Sequence, residues 1–221
     1  MITKFFKYVL QGILLSMFLV GVSFGYTIND AVGDRIGAIG FEAYGIDVNL
    51  SNPSKITFSL FTNYPQGGIT VGSWATFAGD LAIDLPNGTP YEYGIALTNH
   101  DGIIAGNLYN VTNWNLSNSY APSGGYTYNQ NQMVTIGTGT DIGDAVAVIS
   151  WNSIGSNPSY RIDVTIARNL IPADVIGLHW PVATCANDYV NGTVSVPEPT
   201  TMLLLGSGLV GLVGFRRKIK K

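Results

Sequence analysis

The sequence predicts an all-β protein with a single β-sandwich or jelly-roll domain of about ten strands. Between residues 26 and 196, apolar and polar residues alternate rather than recurring every 3.6 positions, and a period of two is typical of strands. Glycine, asparagine and proline punctuate the same region densely, as turns between short strands require. The length of 221 residues suggests one domain, or two at most.

Three segments show the alternation most clearly, namely Lys55–Thr62, Tyr91–Leu97 and Tyr160–Ile166. Eight further strands are predicted at Phe41–Asn49, Trp74–Phe77, Asp80–Leu85, Gly106–Trp114, Gly125–Asn129, Met133–Ile136, Asp144–Trp151 and Gly177–Trp180. The polar stretch Asn113–Gln132 is predicted to form a long exposed loop. A helical turn is predicted only near Pro172–Val175, where proline suits a first turn.

Residues 1–25 have the parts of a secretory signal peptide. Two lysines precede the apolar run Tyr8–Val22, and small residues two positions apart end at Gly25. Signal peptidase is expected to cleave between Gly25 and Tyr26. A permanent anchor is disfavoured because the run is interrupted by polar residues and is short for a span that needs about 20 apolar residues. The domain at 26–196 is therefore predicted to leave the cytoplasm.

The C-terminal segment 197–221 has three parts. They are Pro197, Glu198 and Pro199, an uncharged stretch at 200–215, and a basic tail that begins with Arg216 and Arg217. As a helix, the uncharged stretch would be about 24 Å long, slightly under a bilayer core of about 30 Å. It predicts a short transmembrane helix whose basic end stays on the cytoplasmic side.

In this order the three parts resemble the PEP-CTERM protein-sorting signal of Gram-negative bacteria, which is also catalogued as an ice-binding protein C-terminal domain. That second name describes the tail and does not imply ice binding. The resemblance implies that an exosortase, an integral-membrane relative of cysteine proteases, processes the chain at the inner membrane. The product would then reach the cell surface or the exterior, with exopolysaccharide as a partner. An ordinary tail anchor is the alternative.

The charge distribution argues against a nucleic-acid partner. Residues 26–196 contain four basic and thirteen acidic side chains, a net charge of 4 − 13 = −9. Nucleic-acid affinity comes mainly from Lys and Arg that neutralise phosphates, so such a domain would be repelled. One cysteine also excludes a disulfide framework and a cysteine-based zinc site.

No catalytic residue is predicted. The two histidines, His100 and His179, belong to neither a G-x-S-x-G nor an H-E-x-x-H motif. Cys185 lacks the sequence context of cysteine proteases and is expected to be a buried thiol. The sequence therefore favours a protein that is not an enzyme, and a hydrolase ranks third among the functions considered.

Acidic pairs are candidate calcium ligands, because hard oxygen donors suit calcium. The pairs are Asp30 and Asp34 in one loop, Asp141 and Asp144 in a second, and Asn187 with Asp188 near Cys185. None matches an EF-hand pattern, and solubilising loop acids are the alternative. No other cofactor is predicted.

An exposed aromatic group would favour sugar binding, because aromatic faces stack on the C–H faces of sugars. The candidate group is Trp114 with Tyr109, Tyr120 and Asn113. Trp74, Trp151 and Trp180 are expected to pack in the core. The leading hypothesis is an exported, non-enzymatic surface or extracellular-matrix protein, and the alternative is a carbohydrate-binding module for exopolysaccharide.

Overall fold

The computed structural model describes residues 25–86, 88–120, 126–171, 175–195 and 206, without the side chains of residues 143–146. The predicted signal peptide, apart from Gly25, and nearly all of the C-terminal segment lie outside these ranges. Within them the all-β prediction is confirmed, because strands alternate with turns and with three short 3₁₀ turns. No helix in the described ranges is long and apolar enough to cross a membrane.

The described chain contains thirteen strands. In chain order they are β1 (Gly25–Asn29), β2 (Ala43–Asn49), β3 (Lys55–Thr62), β4 (Thr70–Val71), β5 (Trp74–Ala75), β6 (Leu81–Asp84), β7 (Tyr93–Ile95), β8 (Asn107–Leu116), β9 (Met133–Val146), β10 (Val148–Ser153), β11 (Tyr160–Ala167), β12 (Val175–Pro181) and β13 (Tyr189–Ser195). The 3₁₀ turns are Ile39–Phe41, Ser117–Ser119 and Arg168–Leu170.

The strands form two open antiparallel sheets and a separate small hairpin. The first sheet has the order β1-β2-β3-β11-β10, and the second has the order β13-β12-β6-β7-β8-β9. Strands β4 and β5 pair only with each other among the described residues. The chain passes from the second sheet to the first at Ala147, between β9 and β10.

One cluster of buried apolar residues takes members from both sheets. Phe58 and Leu60 of β3 and Leu178 and Trp180 of β12 are all fully buried in it. Because successive side chains of a strand point to opposite faces, each sheet contributes one apolar face to this cluster. Burial of such faces against each other is the dominant favourable term in folding.

The strands with the clearest alternation are the best predicted. Lys55–Thr62 is β3 as expected, and it pairs along its whole length with β11, which was predicted at Tyr160–Ile166. The buried positions of both strands meet across the ladder, as at Leu60 and Ile162. Alternation was therefore sufficient to locate the two strands at the centre of the first sheet.

Several boundaries were predicted wrongly. Residues 126–129 of the strand expected at Gly125–Asn129 are irregular, and Gly125 lies outside the described ranges. The loop expected to start at Asn113 starts later, because β8 continues to Leu116 in its ladder with β9. The strand expected at Asp144–Trp151 is divided at Ala147 between β9 and β10.

Strands β1, β4 and β13 were not predicted. The alternation of β13 is interrupted by Asn191 and Gly192, and residues of these types are frequent in turns. Position 192 is a glycine because a Cβ there would come within 2.7 Å of a methyl carbon of Ile28 from β1. The predicted turn at 172–175 has residues 172–174 outside the described ranges, and Val175 begins β12.

Candidate functional site

Three aspartates from distant parts of the sequence converge at one end of β1. Asp30 follows β1, Asp34 lies in the next turn, and Asp188 immediately precedes β13. One carboxylate oxygen of each lies within 4.8 Å of the others. Such a cluster is held by the fold, since like charges at this spacing repel each other.

Backbone amides fix the position of Asp188 in this aspartate cluster. Its Oδ2 accepts a hydrogen bond from the amide of Ala43 at 2.7 Å, and its Oδ1 accepts one from the amide of Tyr189 at 2.9 Å. Asp30 is less well satisfied, because its Oδ2 is buried and has no hydrogen-bond partner within the described part of the chain. A buried oxygen without a donor costs free energy unless a ligand supplies one.

The loop between β1 and β2 is organised around Glu42, whose side chain is fully buried. Glu42 accepts a hydrogen bond from the amide of Gly33 and forms an ion pair with Arg35, with 2.5 Å between Oε2 and Nη1. Arg35 therefore neutralises Glu42. Among the described residues no cation forms an ion pair with Asp30, Asp34 or Asp188.

The electrostatics reflect this excess of negative charge. Burial, followed by the charges of Asp34 and Glu42, raises the pKa of Asp30 to about 6. Burial also raises the pKa of Asp188 to about 7, and the charges of Asp30 and Asp34 add to the effect. Both carboxyl groups thus ionise less readily than an ordinary aspartate, and a bound cation would lower their pKa values again.

The donor set fits a hard cation. Calcium takes six to eight oxygen ligands, and three carboxylates from fixed backbone positions would supply part of that shell, with backbone carbonyls and water supplying the rest. Zinc fits poorly because neither histidine nor cysteine lies in the aspartate cluster. The buried, unpartnered Oδ2 of Asp30 is the feature that a cation would satisfy directly.

The predicted acidic pairs have different outcomes. Asp30 and Asp34 are brought together, with Asp188 as a third member. Asp141 and Asp144 do not lie in a loop as expected but on β9, because β9 continues its ladder with β8 well past the predicted end. Asp141 accepts a hydrogen bond from Asn107 at 2.6 Å.

The predicted sugar-binding residues lie on or next to β8 but do not form an exposed platform. Trp114 is half-buried, and its indole Nε1 donates to the carbonyl of Tyr91 at 2.9 Å. Tyr109 is buried, whereas Asn113 is exposed. The hydroxyl of Tyr120 already forms hydrogen bonds within the domain, and it donates to a carboxylate oxygen of Asp101 at 3.0 Å. Sugar binding by this group stays a prediction.

Trp74 was expected in the core, and that prediction is wrong. Its side chain is 39% exposed, because it lies on the two-residue strand β5 outside both large sheets. Trp180 is fully buried as expected, and Trp151 is partly buried. Periodicity could not separate these residues, since a strand as short as β5 has too few positions to show alternation.

The histidines and the cysteine are enclosed. The side chain of His100 is 4% exposed and lies 3.2 Å from Asp80. His179 is buried beside Tyr91 and Tyr189, and burial lowers its pKa. Cys185 is buried as expected, and burial raises the pKa of its thiol to about 11.

The predicted export signals lie at the two ends of the chain. Gly25 and Tyr26, which flank the predicted cleavage point, lie at the start of β1 opposite Asn49 and Val48. The sorting residues of the C-terminal segment lie outside the described ranges; they are Pro197, Glu198, Pro199, Arg216 and Arg217.

Comparisons with known proteins identify one part of the chain. No curated protein and no solved structure matches the chain. The family model of the PEP-CTERM protein-sorting motif matches residues 195–218, and this confirms the resemblance seen in the sequence. The chain therefore carries a PEP-CTERM sorting signal, which indicates exosortase-dependent export toward the cell surface.

Proposed function

We propose that this chain is a non-catalytic protein of the cell surface or extracellular matrix, built on one calcium-stabilised β-sandwich. The observation that carries the proposal is the sorting motif at residues 195–218, which follows directly on an acidic all-β domain. In this proposal signal peptidase frees Tyr26, and the chain passes through the inner membrane as an intermediate. An exosortase then removes the C-terminal tail.

A sandwich is supported by the shared core. Both open sheets contribute to one buried cluster, and two antiparallel sheets packed face to face bury their apolar sides in this way. Calcium would add stability at the edge of that core. The aspartate cluster joins the loop after β1 to the start of β13, so a bound cation would tie the N-terminal edge strand to the second sheet.

The absence of catalysis is supported by the state of the titratable groups. A general base must reach a substrate, but His100 and His179 are both enclosed and hydrogen-bonded to main-chain carbonyls. A nucleophilic cysteine needs a thiolate, and the pKa of Cys185 is raised instead. A hydrolase is accordingly the weakest candidate.

Sorting is tested by measuring intact mass and location of the protein in its native host. We expect a product that begins at Tyr26 and lacks the segment beyond Pro199. Glu198→Ala should leave the tail with Arg216 in the membrane fraction, whereas Glu92→Ala should be processed normally. Full-length chain in the cytosol, or a retained tail regardless of Glu198, would contradict the proposal.

Calcium binding is tested by calorimetry on the full chain. We expect one site that is weakened by about tenfold or more in Asp34→Asn, because a carboxylate ligand of a hard cation is lost. Asp141→Asn serves as the matched control and should bind like the wild type. No heat from millimolar calcium, or equal loss in the two variants, would remove the calcium part of the proposal.

Binding of exopolysaccharide is a second candidate function. It is favoured by aromatic side chains that this domain exposes, namely Trp74 and Tyr126. Pull-down with the host's purified polysaccharide tests it, and Trp114→Ala, which removes the aromatic face, tests the group predicted on β8. Retention that depends on Trp114 would support that group, and absence of retention would argue against a carbohydrate-binding module.

A further inference from the structure

A groove of about 630 Å³ runs between the loop at residues 36–41 and the β4–β5 hairpin. Ile36 and Phe41 line one wall, Thr70 and Val71 line the other, and Tyr126 lies along it. The volume is within the range of small-molecule sites, about 300–1,000 Å³. We infer that this groove binds a neutral glycan, with Trp74 and Tyr126 as its aromatic contacts; the inference deepens the second candidate function.

The aromatic surface of the groove is unusual for this domain. Tyr126 is 48% exposed and lines the groove itself. Trp74 is 39% exposed and lines a smaller pocket that adjoins the groove and shares Val71 and Tyr126 with it. An exposed indole and phenol offer flat apolar faces with a polar tip. The C–H face of a pyranose ring is the complementary surface, because its hydroxyls point outward at the rim.

The walls of the groove are held in place before any ligand binds. Ile36 donates its amide to the carbonyl of Asn187 at 2.8 Å and accepts a bond from the Asn187 side chain at 2.5 Å. Across the groove, Thr76 fixes the base of the hairpin through its amide and its hydroxyl, both donated to the carbonyl of Ile69 at 2.9 and 2.6 Å. Preformed walls reduce the entropy lost on binding.

The hairpin turn also positions Tyr126. Gly72 has a φ of +63°, and a Cβ there would lie 2.9 Å from the Tyr126 hydroxyl. Glycine at this position therefore serves both the left-handed turn and the close approach of the tyrosine. The phenol therefore lies close to the turn while nearly half of the surface of Tyr126 stays exposed.

The charge around the groove favours a neutral ligand. The described residues that line it include no acidic or basic side chain. Asn187 is followed directly by Asp188 of the aspartate cluster, and residues 26–196 carry a net charge of −9. An anionic polysaccharide would be repelled, whereas threonine hydroxyls at the rim, such as Thr70, can bond the hydroxyls of a neutral sugar.

The test is calorimetric titration of the full chain with cellohexaose, laminarihexaose and mannohexaose, and with an alginate hexasaccharide as the anionic probe. We expect at least one neutral hexasaccharide to bind and the alginate not to bind. Trp74→Ala and Tyr126→Ala should each weaken binding by about tenfold or more, as truncation of an aromatic contact does. Ile154→Ala removes an equally exposed apolar side chain elsewhere and should leave binding unchanged.

Ala38→Trp provides an independent variant, because it fills the groove from the opposite wall without removing any contact. It should abolish binding even if Trp74→Ala fails to fold. Binding lost only in Trp114→Ala, binding by alginate alone, or no binding to any of these probes would overturn the inference. Dimerisation that Ala38→Trp abolishes would also overturn it, by identifying a second copy as the occupant. Calcium binding and tail processing are measured separately, so failure here leaves those results intact.

Discussion

Carboxylate groups are enclosed in two regions of this domain, around Asp80 and in the aspartate cluster. The two regions differ in whether the protein supplies hydrogen-bond donors to every buried oxygen. Asp80 is fully buried, yet it accepts bonds from the amides of Leu97 at 3.0 Å and Ile136 at 2.8 Å and lies against His100. In the aspartate cluster three carboxylates share one space and Asp30 has a buried oxygen with no donor among the described residues. The carboxylate of Asp80 has its partners within the chain, whereas a cation is the partner that we propose for Asp30.

The Asp80–His100 pair is best described as an ion pair. Both nitrogens of His100 face acceptors, since Nδ1 lies 2.9 Å from the carbonyl of Thr98 and Nε2 lies 3.2 Å from Asp80. An imidazole can donate from both nitrogens only when it is protonated. Burial lowers the pKa of His100, but the hydrogen bond and charge of Asp80 outweigh it, so the pKa lies above its usual value.

The largest expected effect on the free energy of unfolding comes from removing the carboxylate of Asp80. Asp80→Ala leaves two buried amides without their acceptor and the buried imidazolium without its opposite charge, so it should lower the free energy of unfolding by about 3–5 kcal/mol. Urea unfolding of the full chain, followed by tryptophan fluorescence, measures this. Asp47→Ala in the partly exposed middle of β2 is the control, and a loss for Asp80→Ala no larger than for this control would refute the comparison.

Addition of calcium, which we propose binds the aspartate cluster, is expected to have the next largest effect on the free energy of unfolding. Calcium at 100 times its dissociation constant should raise the free energy of unfolding by about 2.7 kcal/mol, since it binds the folded chain only. The melting temperature measured with calcium and with chelator gives the result. Asp34→Asn, which should bind at least tenfold more weakly, should reduce the rise to about 1.4 kcal/mol or less. A rise of equal size in that variant would place the ion elsewhere.

A pH series separates the two regions further. The folded pKa values of Asp30 and Asp188, about 6 and about 7, lie above the ordinary value of 3.8. The folded state therefore binds more protons between pH 4 and 7, and without calcium the stability should fall as pH rises through this window. Calcium needs the ionised carboxylates, so its stabilising effect should be large at pH 8 and small at pH 5. A calcium effect that is independent of pH would contradict this assignment.

The stability contributed by the Asp80–His100 pair should change in a different pH range. Because its folded pKa is raised, its stabilising contribution is complete below the unfolded value of 6.5 and is lost as pH rises through the folded value. Saturating calcium keeps the aspartate cluster ionised during this measurement. His100→Gln should remove the alkaline loss of stability, and its persistence in that variant would assign the loss to another group.

The smallest effect is expected for Asp34→Asn without calcium. Asp34 is exposed, and removing its charge relieves repulsion on Asp30 and Asp188. Stability should stay the same or rise by about half a kcal/mol, as for other exposed charges. Urea unfolding in chelator measures it, and a substantial loss would mean that Asp34 has a structural role beyond the cation.

Local patterns in the sequence were enough to predict some strands. They were not enough to predict either candidate site, the complete aspartate cluster or the groove beside the β4–β5 hairpin. The alternation in Lys55–Thr62 placed β3 correctly because a strand buried on one face must repeat every two residues. The sorting tail was identified from contiguous residues in a fixed order and needed no fold. Gly192 shows the opposite case, since the reason for a glycine at this position is a side chain of β1, which is distant along the chain.

The sequence by itself determined the all-β class, the central pair β3 and β11, and the export address. Each depends on residues that are neighbours along the chain. Only the tertiary structure decided that Asp188 joins Asp30 and Asp34, that Trp74 is exposed, and that His100 pairs with Asp80. These depend on which strands become neighbours in the sheets, and that choice is made by burial of the whole core rather than by any local segment.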